Sequence, residues 1–161
     1  MGGWRTLMGE PTERQVEGRL AHDGSHLYLQ LQEKLDPKTL VVTDDVWSDD
    51  EWEIFVAKQR SAGYRQMGVN AKGTHIDLAY RENTDKWDSG AVVVSDRSAP
   101  DRWTTRLAFP LAQLLPGGVQ PGGTLYLNVV RSTQYSNALS WIPTFGGYHA
   151  PSRFGEVLLE K

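Results

Sequence analysis

Glu51-Trp52-Glu53-Ile54-Phe55-Val56 alternates strictly, placing Trp52, Ile54 and Val56 on one face and Glu51, Glu53 and Phe55 on the other. That is the period of a β-strand, and its apolar set points to a core. After the polar stretch Gln59 to Gly63, Tyr64 to Asn70 alternates again, with Met67 and Val69 inward and Gln66, Gly68 and Asn70 outward. If the two strands pair, Glu53 shares the non-core face with Gln66 and Asn70, concentrating hydrogen-bonding groups on one side of a sheet.

Outward from this pair the same grammar continues. Gln15 to Leu20 and Leu27 to Leu31 flank His22-Asp23-Gly24-Ser25, whose Asp-Gly pair signals a hairpin turn. Further strands are expected at His75 to Tyr80, Ala91 to Ser95, Trp103 to Phe109, Thr124 to Arg131 and Phe154 to Leu159. Pro110 to Leu115 suits a short helix, opened by proline and stopped by Pro116-Gly117-Gly118. About nine short strands with little helix predict an all-β, two-sheet antiparallel sandwich of jelly-roll type. No repeat or long linker divides residues 1–161, so a single domain is expected, and Met1-Gly2-Gly3-Trp4 reads as the boundary of a domain excised from a larger polypeptide.

The chain of 161 residues carries 17 Lys and Arg against 20 Asp and Glu, a net charge of −3 without any basic run. Nucleic acid is therefore not the expected partner, because phosphate binding needs clustered cations. No stretch approaches the roughly 20 apolar residues that span a bilayer, so no membrane partner is expected. The absence of cysteine removes disulfides, thiolate metal sites and cysteine nucleophiles.

Catalytic signatures are missing: no nucleophile elbow, metalloprotease His-Glu pattern, phosphate-binding glycine loop or dinucleotide fingerprint occurs. Asp44-Asp45 and Asp49-Asp50-Glu51 offer oxygen ligands without the spacing of a calcium loop, so a structural calcium is an open option and no cofactor is required. His22, His26 and His75 lack ligand spacing, while His149 follows Tyr148 in a glycine-rich loop. Trp4, Trp52, Trp87, Trp103 and Trp141 suit packing in a sandwich; Trp47 differs by preceding an acidic loop.

Six segments in order resemble the family 9 carbohydrate-binding modules, a DOMON-like group of β-sandwiches. They are Val46 to Phe55, Tyr64 to Asn70, Trp103 to Pro110, Leu127 to Arg131, Ser140-Trp141, and Tyr148 to Val157 with its closing Pro-x-x-Phe-Gly. Only the extreme N-terminus is unmatched. The resemblance implies a module that binds sugar without cleaving it, usually attached to a secreted glycoside hydrolase, hence an extracellular, cell-surface or periplasmic location. In the family a sugar is clamped between two aromatics and held by charged and amide groups. Trp47 matches one clamp residue, Glu53 the acidic partner, and Tyr148 stands where the second clamp tryptophan is expected. The family's binding arginine falls at Gly68, so one charged contact is absent.

The residue chemistry suits such a ligand. Sugar rings present C–H faces edged by hydroxyls, so flat aromatics serve the faces and polar groups the edges. Glu53 as a carboxylate accepts strong hydrogen bonds. Gln66, Asn70, Asn128, Arg131 and His149 are candidates to complete the edge, although alternation gives Arg131 the parity of Leu127 and Val129. Two other functions fit the same fold class: a haem-binding sandwich using Met67, and a sandwich that mediates protein contacts within an extracellular enzyme.

Overall fold

The structure is a computed structural model and describes residues 1–61, 63–80, 84–133 and 137–161. In chain order the strands are β1 (Arg5–Thr6), β2 (Val16–His22), β3 (His26–Lys34), β4 (Glu51–Ala57), β5 (Tyr64–Asn70) and β6 (His75–Tyr80). They continue with β7 (Thr84–Lys86), β8 (Val92–Asp96), β9 (Arg102–Pro110), β10 (Thr124–Ser132), β11 (Leu139–Ser140) and β12 (Gly155–Leu158). Helix is limited, among the described residues, to α1 (Leu111–Leu114) and three single 3₁₀ turns at Pro37–Thr39, Val46–Ser48 and Pro151–Arg153.

These strands form an antiparallel β-sandwich. The larger sheet runs β1-β11-β10-β4-β5-β6-β7, with β12 pairing the first half of β10 on the edge whose second half takes β11. The smaller sheet runs β2-β3-β9-β8. All nine expected strands are present, two of them, β5 and β6, with the expected bounds. β1, β7 and β11 had no sequence expectation. Strands of two or three residues are too short to display a period, and pairing partners create them.

The β2–β3 hairpin turns where Asp-Gly predicts it, with Gly24 at a φ of 88°. Asp23 Oδ1 accepts hydrogen bonds from the Ser25 and His26 backbone N–H groups at 2.8 Å each, and Tyr28 donates to Asp23 Oδ2 at 2.7 Å. A side chain that mimics a turn carbonyl thus fixes the register of β2 on β3.

Between the sheets lies the principal core. Trp52, Ile54 and Val56 of β4 and Met67 and Val69 of β5 meet Leu27, Leu29 and Leu31 of β3 and Trp103, Leu107 and Phe109 of β9. Trp52 stands at its centre, 5.9 Å from the Trp4 ring and 5.2 Å from Trp103. Trp87 and Trp141 pack at the margin. Each aromatic in such a layer removes on the order of 150–250 Å² from water, which is the main support of the fold.

The opposite face of the larger sheet is buried too, but divided. Phe55, Ala57, Val130, Ala138 and Phe154 form a second apolar cluster, covered by the C-terminal loop. The other half of that face is polar and opens into a cleft.

Candidate functional site

The β4–β5–β6 register builds the floor of this cleft. Glu53 lies opposite Gly68, Glu51 opposite Asn70, Gln66 opposite Leu78 and Tyr64 opposite Tyr80, so period-two alternation brings acids, amide and phenol to one face. The cavity holds about 460 Å³ and is walled by Trp47 on one side and Tyr148 and His149 on the other.

Trp47 is placed by the 3₁₀ turn Val46–Ser48. Asp45 caps this turn, accepting from the Trp47 backbone N–H at 3.2 Å and from Ser48 Oγ at 2.6 Å. The loop around it is tied to the sheet: Val41 N–H donates to Asp50 Oδ2 at 2.7 Å, and Asn70 Nδ2 donates to Asp49 Oδ2 at 2.8 Å. Val46 is buried while the indole of Trp47 remains 39% exposed, lying across Gly68.

The opposite wall rests on Phe154, whose ring packs 5.8 Å from Phe55. Arg60 Nε donates to the Phe154 carbonyl at 2.8 Å, and Phe145 N–H donates to Leu7 O at 2.8 Å. So anchored, the loop presents Tyr148, whose hydroxyl is 3.4 Å from Ser132 Oγ, and His149, whose Nδ1 is 2.8 Å from Tyr64 Oη. The His149 ring meets Phe55 and Tyr80 edge-on at 5.4 and 5.2 Å. Burial lowers its pKa, so it stands neutral at neutral pH.

Along the floor runs a relay of hydrogen bonds. Tyr80 Oη donates to Gln66 Oε1 at 2.8 Å, and Gln66 Nε2 donates to Glu53 Oε2. Each amide end is thereby assigned, and Glu53 is held by its second-layer partners. Burial raises Glu53 to about 7 against the lowering effect of the Gln66 bond. Glu51 is raised further, to about 9, first by burial and then by the charges of Glu53 and Asp49. Its Oε2 is buried and receives no hydrogen bond.

Trp47, Glu53, Gln66, Tyr148 and His149 therefore line one cleft. Asn70, Asn128 and Arg131 do not, which corrects their expected place at its edge. Asn70 accepts from the Lys72 and Thr74 backbone N–H groups at 3.0 and 3.1 Å while donating to Asp49, as the hinge of the β5–β6 turn. Asn128 donates to Ser140 Oγ and the Ile142 carbonyl at 3.1 and 3.0 Å and accepts from Ile142 N–H at 3.0 Å, tying β10 to the strand that follows it. Arg131 follows its parity into the core. There it pairs with Glu33 at 2.7 Å and Asp50 at 2.8 Å, under the faces of Trp103 and Trp52 at 4.8 and 5.5 Å.

Glu51, Leu78, Tyr80 and Ser132 also line the cleft and were not singled out from sequence. Glu51 shares the parity of Glu53, the signal that finds it, but stands in an acidic run that reads as a solvated loop. Three aspartates of that run are committed within the protein, Asp45 to its cap, Asp49 to Thr43 and Asn70, Asp50 to Val41 and Arg131. Among the described residues no group of three or more His, Cys, Asp or Glu side chains is set to hold a metal ion. Met67, the residue weighed as a haem ligand, is fully buried between the sheets and packs there.

No protein-family model matches the chain, and no curated protein matches it in sequence. Solved structures do. A candidate carbohydrate-binding protein from Bacteroides uniformis superposes with a TM-score of 0.74 at 20% identity, over 91% of this chain and 78% of that one. A family 9 carbohydrate-binding module from Caldicellulosiruptor kristjanssonii in complex with glucose gives 0.70 at 18% identity, over 98% and 83%. The cellotriose complex of a family 9 module from the same organism gives 0.72 at 17%, over 98% and 81%. This chain has the antiparallel β-sandwich fold of the family 9 carbohydrate-binding modules.

Proposed function

We propose that this chain is a non-catalytic carbohydrate-binding module whose site is the cleft between Trp47 and Tyr148. The observation that carries the reading is the pairing of a half-exposed indole with a hydrogen-bonded polar floor on a rigid sheet. A sugar ring needs both: an aromatic plane for its C–H face and fixed acceptors and donors for its hydroxyls. Glu53, Gln66 and Tyr80 arrive pre-oriented, which lowers the entropy lost on binding. The glucose and cellotriose complexes of similarly folded modules support the same class of ligand.

The cleft's two carboxyls do not suit hydrolysis. Glycosidases place two carboxyl groups on either side of the scissile bond. Glu51 and Glu53 project from one strand on one face, so both approach a ligand from the same side. In the parent polypeptide we place the module beside a glycoside hydrolase, outside the cytoplasm, where polysaccharide is met.

Intrinsic tryptophan fluorescence during titration with glucose, xylose, galactose and their short oligomers tests the proposal. A saturable shift that disappears in Trp47→Ala is expected. No saturable response to any of these sugars would overturn it.

A further inference from the structure

The cleft holds two buried carboxyls, Glu51 and Glu53, and among the described residues no cationic side chain lines it. The buried carboxylates Glu33 and Asp50 are matched by cations, Glu33 by Arg14 and Arg131 at 2.6 and 2.7 Å and Asp50 by Arg131 and the Val41 N–H. Glu51 is only 2% exposed, lines the cleft beside Trp47, and its Oε2 accepts nothing. Glu53 stands on the same face of the same strand, its Oε2 taken by Gln66. Among the described residues lining the cleft there is no Lys or Arg. The position that faces Glu53 across the strand pair is Gly68, which offers no side chain. A buried carboxyl left without a partner is costly, and a partner supplied by a ligand recovers that cost on binding.

We infer that the cleft selects sugars carrying a free amino group, whose ammonium docks on the carboxyls of Glu51 and Glu53 while the ring lies against Trp47. This rests on the sugar-binding reading above. A neutral hydroxyl donates one hydrogen bond, whereas an ammonium donates three and carries a positive charge to the carboxyls. The aromatic walls suit the same ligand, since Trp and Tyr faces attract cations. Both carboxyls are held above their ordinary range by burial, Glu51 also by the charge of Glu53, so an arriving cation also favours their ionised form.

Binding of glucosamine, glucose and N-acetylglucosamine is compared at pH 7 by tryptophan fluorescence and calorimetry, in the native chain, Glu51→Gln and Glu53→Gln. Glucosamine is expected to bind at least tenfold tighter than glucose, with N-acetylglucosamine, whose nitrogen is uncharged, losing that advantage. Either glutamine variant is expected to bring glucosamine and glucose to within about threefold of one another, and thermal melting confirms that the variants fold. Equal or tighter binding of glucose in the native chain overturns the amino-sugar inference and leaves the sugar site standing. A preference that survives in both variants overturns the assignment to these two carboxyls. Failure of all three sugars overturns the amino-sugar inference, and it overturns the sugar-binding reading itself when xylose, galactose and the oligomers titrated above also fail to bind.

Discussion

Trp47 lies across Gly68 so closely that a Cβ added to the glycine would sit 2.6 Å from indole Cζ3 and 2.8 Å from Cη2. The flat wall of the cleft therefore depends on a missing side chain in the strand beneath it. Gly68→Ala is expected to lift the indole while leaving the sandwich intact, because what must move is the far end of an exposed side chain. Sugar affinity should fall about tenfold, or about 1.4 kcal/mol, with unfolding free energy changed by less than about 1 kcal/mol. Titration and urea denaturation of the same variant separate the two effects.

Asp45 acts on the same wall from the other direction. Its carboxylate caps the 3₁₀ turn bearing Trp47, and Asp45→Ala removes both of those bonds. A lost cap costs roughly 1 kcal/mol. Sugar affinity measured by calorimetry should weaken several-fold in Asp45→Ala and recover in Asp45→Asn, whose amide oxygen still accepts from the Trp47 N–H.

The stability of the fold should depend on pH through the cleft. Glu51 and Glu53 bind their protons more tightly folded than unfolded, about 9 and about 7 against an ordinary 4.5. Their support is complete below pH 4.5 and is lost as pH rises through 7 for Glu53 and 9 for Glu51. Glu51→Gln cannot ionise, so it should melt above the native chain from pH 5 upward, by on the order of 3 kcal/mol at pH 7, and match it below pH 4.5. Melting curves of both proteins from pH 4 to 9 test this; parallel curves across the whole range would refute it.

Arg131 carries the opposite expectation, stability without binding. Removing it leaves Asp50 without a cation and Glu33 with Arg14 alone, and breaking such a buried pair costs about 3–5 kcal/mol. Arg131→Ala should lose that much in urea denaturation. Where the variant remains folded, its glucose affinity should fall far less than in Trp47→Ala, since Arg131 packs against Trp52 and Trp103 and does not line the cleft.

How far the sequence discloses this site follows from the range of the signal. Alternation in Glu51–Val56 and Tyr64–Asn70 is local, so the strands, their inward faces and the company of Glu53 and Gln66 could be read directly. Arg131 was legible by the same rule, its parity with Leu127 and Val129 sending it to the core. Tyr80 was not, because its place depends on the β5–β6 register that sets it opposite Tyr64, information held by two strands jointly. Asn128 has the outward parity expected of a ligand contact. What keeps it from the cleft is the segment from Ser140 to Ile142, which folds back to take its hydrogen bonds.

The interleaving of β4 and β5 has an evolutionary consequence. Trp52, Ile54, Met67 and Val69 hold the sheets together, while Glu51, Glu53, Gln66 and Gly68 shape the cleft, and the two sets occupy alternate codons. Mutation at every second codon can exchange one ligand for another, and the codons between them keep the chain folding. A single strand pair thus offers selection two separate texts, one that must be copied faithfully and one that is open to revision.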